Sequence, residues 1–351
     1  MIKIYCDLDF FESEQIHKKE NIFLLKLFKL EIELYVGIPS ETLLSLPKNE
    51  ESFFSRFIKS NNRFTPKPFD FENDEFNIER LKNAGINIVF TKFNCKNSQN
   101  IENKRGILII NNLDECVLHF KGGYITNITS KNNFNWDKAI FKGNTYPKWT
   151  SVLISDNYLF KDLNGGSKLG FYNLKKFFTN FLPKKSSEKI HITIVSSNSI
   201  YQNRGWTFVQ SKSEWDNEFE IFKQSIKEIN PDLEINIELF LTRKTIHKRV
   251  LITDFTYGWC DKGFKIYDLN NRINEDNEND FHYYNLFHNI QDYGDIFYNL
   301  AIENLRDIKK IIQEKIFISK DNDDFELFFG EVDRLNKCSK NPLILYEKVQ
   351  N

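Results

Sequence analysis

What this chain lacks narrows its class before any motif is read. Its five Cys (Cys6, Cys95, Cys116, Cys260 and Cys338) are odd in number, scattered and without a C-x2-C pair. That spacing argues against a zinc site and against a secreted disulfide framework. Formal net charge is only −1, so no global field directs the chain to nucleic acid or to an acidic membrane. Any basic surface must therefore be local. No apolar run approaches the roughly 20 residues of a membrane helix, and no signal peptide opens the chain. A soluble, cytoplasmic protein is expected. Met and Pro are scarce while Asn, Lys, Ile and Phe abound, a bias that reflects an AT-rich genome rather than a function. No internal repeat is visible. What is plentiful is aromatic: 34 Phe in 351 residues supply a heavy core for two domains or one large one.

Residues 1–147 read as an α/β domain of unassigned type. Ile2, Ile4, Cys6 and Leu8 alternate as a strand over Met1–Asp9. Ile22–Val36 is apolar and fits a helix or paired strands, and Phe64–Phe69 reads as a Pro-rich loop. Phe76–Ala84 fits a helix stopped by Gly85. Ile86–Phe90 and Gly106–Ile110 read as buried strands. Val117–Phe120 and Tyr124–Ile128 read as a hairpin across Lys121-Gly122-Gly123.

Residues 148–351 form the second domain. Val152–Ile154 is a short strand leading to Asp156-Asn157-Tyr158. Leu174, Phe177, Phe178, Phe181 and Leu182 share one helix face, with Asn173 as N-cap and Pro183 as stop. Ile190, Ile192 and Ile194 alternate as a strand, and Ser196-Ser197-Asn198 open a polar loop. Gln202–Trp215, with Arg204, Trp206 and Lys212, reads as a surface loop, the alternative being a ligand-gating one. Phe219, Phe222, Ile226 and Ile229 give a second helix closed by Asn230-Pro231, and Leu233–Leu241 alternates as a strand. Asn270–Asp280 is acidic and Asn-rich, hence a solvated loop. His282 and His288 match no helical metal spacing and read as structural or surface residues. Ile296–Ile316 is a long helix that packs on the domain or offers a dimer face. The fold class expected is α/β: a mixed sheet flanked by helices, preceded by a second α/β domain.

The most informative stretch is Ile246–Asp268, where His247, Arg249 and Asp254 stand in an H-x-[K/R]-x4-D spacing. Val250, Leu251 and Ile252 make the intervening segment a strand, so His247 and Arg249 share a face. An imidazole beside a guanidinium suits a phosphate. The Arg fork matches two phosphate oxygens, and His attacks phosphorus or moves a proton. Asp254, from the strand end, would orient the imidazole. The bland alternative is a satisfied polar pair at a sheet edge.

This spacing resembles the H-x-K-x4-D signature of the phospholipase D superfamily. His247-Lys248-Arg249, Gly258-Trp259, Lys262-Gly263-Phe264 and Tyr267 look like the H-D-R … G-W … G-R-G-L-D-x-F pattern of the phospholipase D-like domain at the C-terminus of MIT-domain proteins. In that branch Arg replaces the catalytic Lys, and membrane binding is the known role. Asp156 and Tyr158 stand where that family has D-P-Y. The resemblance covers roughly Lys148–Asp268, and the family's downstream G-S-x-N element is absent. It implies a phosphodiester-directed protein, a metal-independent nuclease acting through His247, with a place in antiviral defence. Arg249 would hold the non-bridging oxygens. Lys248, Trp259, Lys262, Asp156 and Tyr158 would line the substrate. Single-motif members complete the site in a homodimer, each chain supplying one His. No cofactor is implied.

Two other function classes stay open. One is a non-catalytic module that binds phosphate, nucleic acid, a lipid headgroup or a partner protein, the N-terminal domain offering a further partner surface. The other is a metal-dependent phosphatase or nuclease using Asp7 and Asp9. Their D-x-D at a first strand end resembles the opening motif of haloacid dehalogenase-type phosphatases and lesion-bypass polymerases.

Overall fold

The computed structural model describes residues 2–12, 32–45, 52, 54–55, 66–69, 71, 77–92, 102, 106–111, 123–132, 134–136, 149–161, 166–202, 205–208, 210–242, 248–273, 276, 278–288, 296–313, 326–331 and 339–344. The chain divides into two compact units. The first is Met1–Gly122 with Thr145–Lys148 and Leu286–Asn299; the second is Gly123–Asn144 with Trp149–Asn285 and Leu300–Asn351. Among the described residues no helix is long and apolar enough to cross a membrane.

The first unit is built on β1 (Lys3–Cys6), α1 (Leu8–Phe11), β2 (Glu33–Val36), α2 (Ser40–Ser45), β3 (Lys67–Pro68), α3 (Ile78–Asn83), β4 (Ile88–Phe90) and β5 (Leu108–Ile110). Its five strands are all parallel, in the order β3-β2-β1-β4-β5. Parallel strands are covered on both faces, which is why Ile4, Cys6, Val89 and Ile109 are buried alike. The first strand ends at Cys6, three residues before the D-x-D does, because Asp7 turns the chain into α1. Asn77 caps α3 by accepting from Arg80 N, and Gly85 at φ +77° ends it. The segment expected as a Pro-rich loop carries the two-residue edge strand β3, where Pro is tolerated.

The second unit comprises β6 (Gly123–Ile128), β7 (Ser151–Ser155), α4 (Gly166–Phe181), β8 (Ile190–Ser196), β9 (Ser199–Gln202), β10 (Gly205–Phe208), α5 (Lys212–Ile229), β11 (Ile235–Leu241), β12 (Val250–Thr253), β13 (Thr256–Cys260), β14 (Asn279–Asn285), α6 (Ile296–Ile311, from Leu300 onward) and β15 (Leu327–Phe329). Eight of these strands form one mixed sheet, β15-β11-β8-β7-β12-β13-β14-β6. The trio β11, β8 and β7 is parallel, and every other pairing is antiparallel. Helices α4 and α5 deliver Phe171, Leu174, Phe177, Trp215, Phe219 and Phe222 onto the Ile192, Ile194, Leu239 and Leu251 face. Here α4 begins at Gly166, so Asn173 sits inside it rather than capping it. Its amide accepts from Ile266 and Tyr267 N–H and donates to Tyr267 O, pinning the chain after β13.

Several sequence expectations change here. β6 pairs with β14, which puts residues 123–144 with the second unit rather than with residues 1–122. Its expected hairpin partner, Val117–Phe120, lies outside the described residues. The loop expected over Gln202–Trp215 contains the end of the β9–β10 hairpin and the capped start of α5. Trp215 is fully buried, its indole N–H donating to Asn198 Oδ1, so it is core rather than a gate. On the other face of the sheet, buried Glu238 accepts from Thr193 Oγ1, Lys340 N and Ser339 Oγ. Asn341 continues that network to Val152 O and Thr193 Oγ1.

Candidate anion-binding site

The parallel strands β7 and β8 end side by side, and antiparallel β12 starts at the same sheet edge. Open α/β sheets bind ligands outside such carboxyl ends. Asp156 leaves β7 there, its N–H donating to Val195 O and its own O accepting from Ser196 Oγ. The side chain is wholly buried. Oδ1 accepts from Tyr158 N at 2.9 Å, closing a local turn, and Oδ2 accepts from Phe264 N at 2.8 Å. Gly263 makes the second bond geometrically feasible: φ is +101°, and a Cβ would stand 2.4 Å from Asp156 Oδ2. Burial pushes the Asp156 carboxyl up, while the Phe264 and Tyr158 N–H groups and the charges of Arg249 and Lys265 pull it back.

Above this carboxylate stands a cationic cluster. The Arg249 guanidinium lies 4.7 Å from the centroid of the Tyr158 ring, and Lys161 Nζ lies 4.8 Å from the same centroid. Both are cation–π distances. Arg249 Nη1 donates to Asp261 O, and its buried Nε has no hydrogen-bond partner. Lys265 Nζ donates to Lys161 O at 3.2 Å. Burial lowers the Lys161 ammonium, with Asp156 opposing. Tyr158 remains 39 % exposed, so the cluster opens to solvent through an aromatic platform. Three cations thus meet one buried carboxylate, an arrangement that attracts an anion. Lys161 and Lys265 lie outside any spacing pattern; only the neighbourhood of Asp156 identifies them.

The other candidates fall elsewhere. His247 lies outside the described residues. Lys248 is exposed beside Arg249, and Lys262 is exposed with Nζ on Asp276 O at 3.1 Å. Asp254 closes the opposite end of β12. Its Oδ2 accepts from Thr150 N, Thr150 Oγ1 and Ser151 N at 2.6, 2.9 and 3.1 Å. Four extended residues lie between Arg249 and Asp254, which sets the two about 16 Å apart at the usual strand rise. The x4 spacing therefore separates the two groups instead of bringing them together, and Asp254 fastens the start of β7. Trp259 pairs with Val250, so it projects to the face opposite Arg249 and Cys260. There it stacks on His282, centroids 4.3 Å apart and planes 4° from parallel.

In the first unit, Asp7 sits where the chain order reverses, between β1 and β4. Its buried carboxylate accepts from Tyr5 OH, Thr91 Oγ1 and Lys92 N. Burial raises it, and the Thr91, Tyr5 and Lys92 bonds oppose. Asp9, two residues on, is exposed on α1. Both Asp7 oxygens thus hold protein donors, and among the described residues neither Asp7 nor Asp9 enters a group of three metal-ligating side chains.

No known family model matches this chain, and no curated protein is similar to it.

Proposed function

We propose that the second unit recognises a phosphate-bearing ligand, with the sugar–phosphate backbone of single-stranded nucleic acid as its class and Arg249 and Lys161 as the charged contacts. The observation that carries this reading is the pair of cations set against the half-exposed Tyr158 ring. Single-strand binders combine basic grooves with aromatic platforms, because every base has a stackable face and every linkage a charge. The guanidinium is held by Tyr158 and Asp261 O, which leaves part of its fork for an anion. Binding is favoured over turnover because Asp254, the proposed imidazole orienter, is committed at the far end of β12.

The test is fluorescence anisotropy with a labelled single-stranded DNA oligonucleotide. Arg249→Ala removes a charge-assisted contact of about 1.5–3 kcal/mol, which lowers affinity roughly 10- to 150-fold. Lys161→Ala weakens binding less, and each variant reduces the salt slope by about one. Unchanged affinity in both would refute the reading, as would stronger binding to anionic lipid vesicles than to the oligonucleotide. Cleavage that persists in EDTA and vanishes in His247→Ala would instead make the protein a phosphodiesterase of the phospholipase D type, for which a homodimer is required.

A further inference from the structure

On the face of the second sheet opposite α4 and α5, we propose that Asp261, Asp280 and His282 bind a divalent borderline metal ion of the zinc kind. The three side chains each place one ligand atom within 4.8 Å of the others. Tetrahedral or octahedral coordination with bonds near 2.0–2.2 Å needs only small side-chain rotations from there. The set arises from strand register. Cys260 pairs with Phe281 and Trp259 with His282, so Asp261 and Asp280 stand directly opposite each other, bridged by Asp261 N on Asp280 O at 3.3 Å.

Like charges in directly opposed positions destabilise a sheet, so this pair calls for a counter-charge. Among the described residues neither carboxylate has a Lys or Arg ion partner. Asp280 Oδ1 accepts from the neutral Asn127 amide at 2.9 Å, and Asp261 Oδ2 has only His282 Nε2, at 3.8 Å. The imidazole is independently prepared as a ligand. Stacking on Trp259 fixes its plane, and Nε2 is the ring nitrogen that faces Asp261 Oδ2. One nitrogen and two carboxylate donors, with Asp261 exposed, leave coordination positions for water and favour a borderline ion over Mg²⁺. This site does not depend on the anion-binding reading, although Asp261 contributes its carbonyl to Arg249.

The experiment is calorimetric titration of the full chain with ZnCl2, alongside Asp261→Asn/Asp280→Asn and His282→Gln. Wild type takes up one ion at micromolar concentration. The double Asn variant loses more than about 100-fold in affinity, beyond the cost of losing an outer-shell partner. In metal-free buffer the same variant melts higher than wild type, since it removes the carboxylate repulsion, and Zn²⁺ no longer raises its melting point. Equal Zn²⁺ affinity in wild type and the double variant would overturn the proposal, as would a wild-type site no tighter than millimolar. Displacement of Zn²⁺ by equimolar Mg²⁺ would overturn the role given to His282.

Discussion

Replacing Gly263 by Ala tests the frame that holds the anion site. At φ +101° the residue occupies a region that side chains rarely adopt, at a cost of about 1–3 kcal/mol. The added Cβ would also stand 2.4 Å from Asp156 Oδ2, an atom fixed in a fully buried carboxylate by the neighbouring Phe264 N–H. Relieving that overlap breaks the Phe264 bond, a charge-assisted contact of about 1.5–3 kcal/mol. Together the two effects destabilise the second unit by about 3 kcal/mol or more, lowering its Tm by roughly 6–12 °C. Gly85→Ala supplies the comparison. Its φ of +77° carries the conformational cost, but the nearest atom to its Cβ is Lys3 Nζ at an ordinary 3.6 Å, so it loses only about 1–2 kcal/mol. Differential scanning calorimetry distinguishes them. A Gly263→Ala loss no larger than that of Gly85→Ala would show that the Asp156 contact contributes nothing, and the account of the site's frame would fail.

Two further outcomes follow from buried carboxylates. Asp254→Ala strands Thr150 and Ser151 N–H groups and should cost about 3–5 kcal/mol by urea unfolding, while oligonucleotide affinity per folded molecule stays at the wild-type value; a selective loss of binding without destabilisation would place Asp254 in the ligand site after all. Glu238 is raised by burial above its ordinary value of 4.5, so the folded state holds the proton more tightly than the unfolded chain. Its contribution to stability is therefore complete below that ordinary value and is lost as pH rises through the folded-state value. Glu238→Gln should flatten this part of the stability–pH curve, and an unaltered slope in the variant would remove Glu238 as its source.

Periodicity alone determined much of the second unit. The 3.6-residue stripe of Leu174, Phe177, Phe178 and Phe181 and the two-residue alternation of Ile190, Ile192 and Ile194 each leave one apolar face that must be buried, whatever the partner. The parallel β4 and β5 were legible for a related reason, since strands covered on both faces become short, wholly apolar runs, whereas β1 was legible from the alternation of Ile2, Ile4, Cys6 and Leu8. Strands β13 and β14 were not legible. Their outer face carries Tyr257, Trp259, His282 and Tyr284, and the acidic lead-in to β14 resembles a solvated loop. Only the neighbouring strands supply the hydrogen bonds that make it sheet. Asn173 likewise has the composition of a cap, but its partners at Ile266 and Tyr267 are distant in the chain.

The site divides in the same way. The chemistry of Arg249 as a phosphate ligand follows from its side chain alone. The company it keeps follows from strand order, because β12 lies against β7 and so brings Arg249 to Asp156, Tyr158 and Lys161. That same extended strand carries Asp254 to the opposite edge of the sheet. A spacing of residues becomes a distance only when the backbone conformation between them is known, and here the intervening residues are a strand.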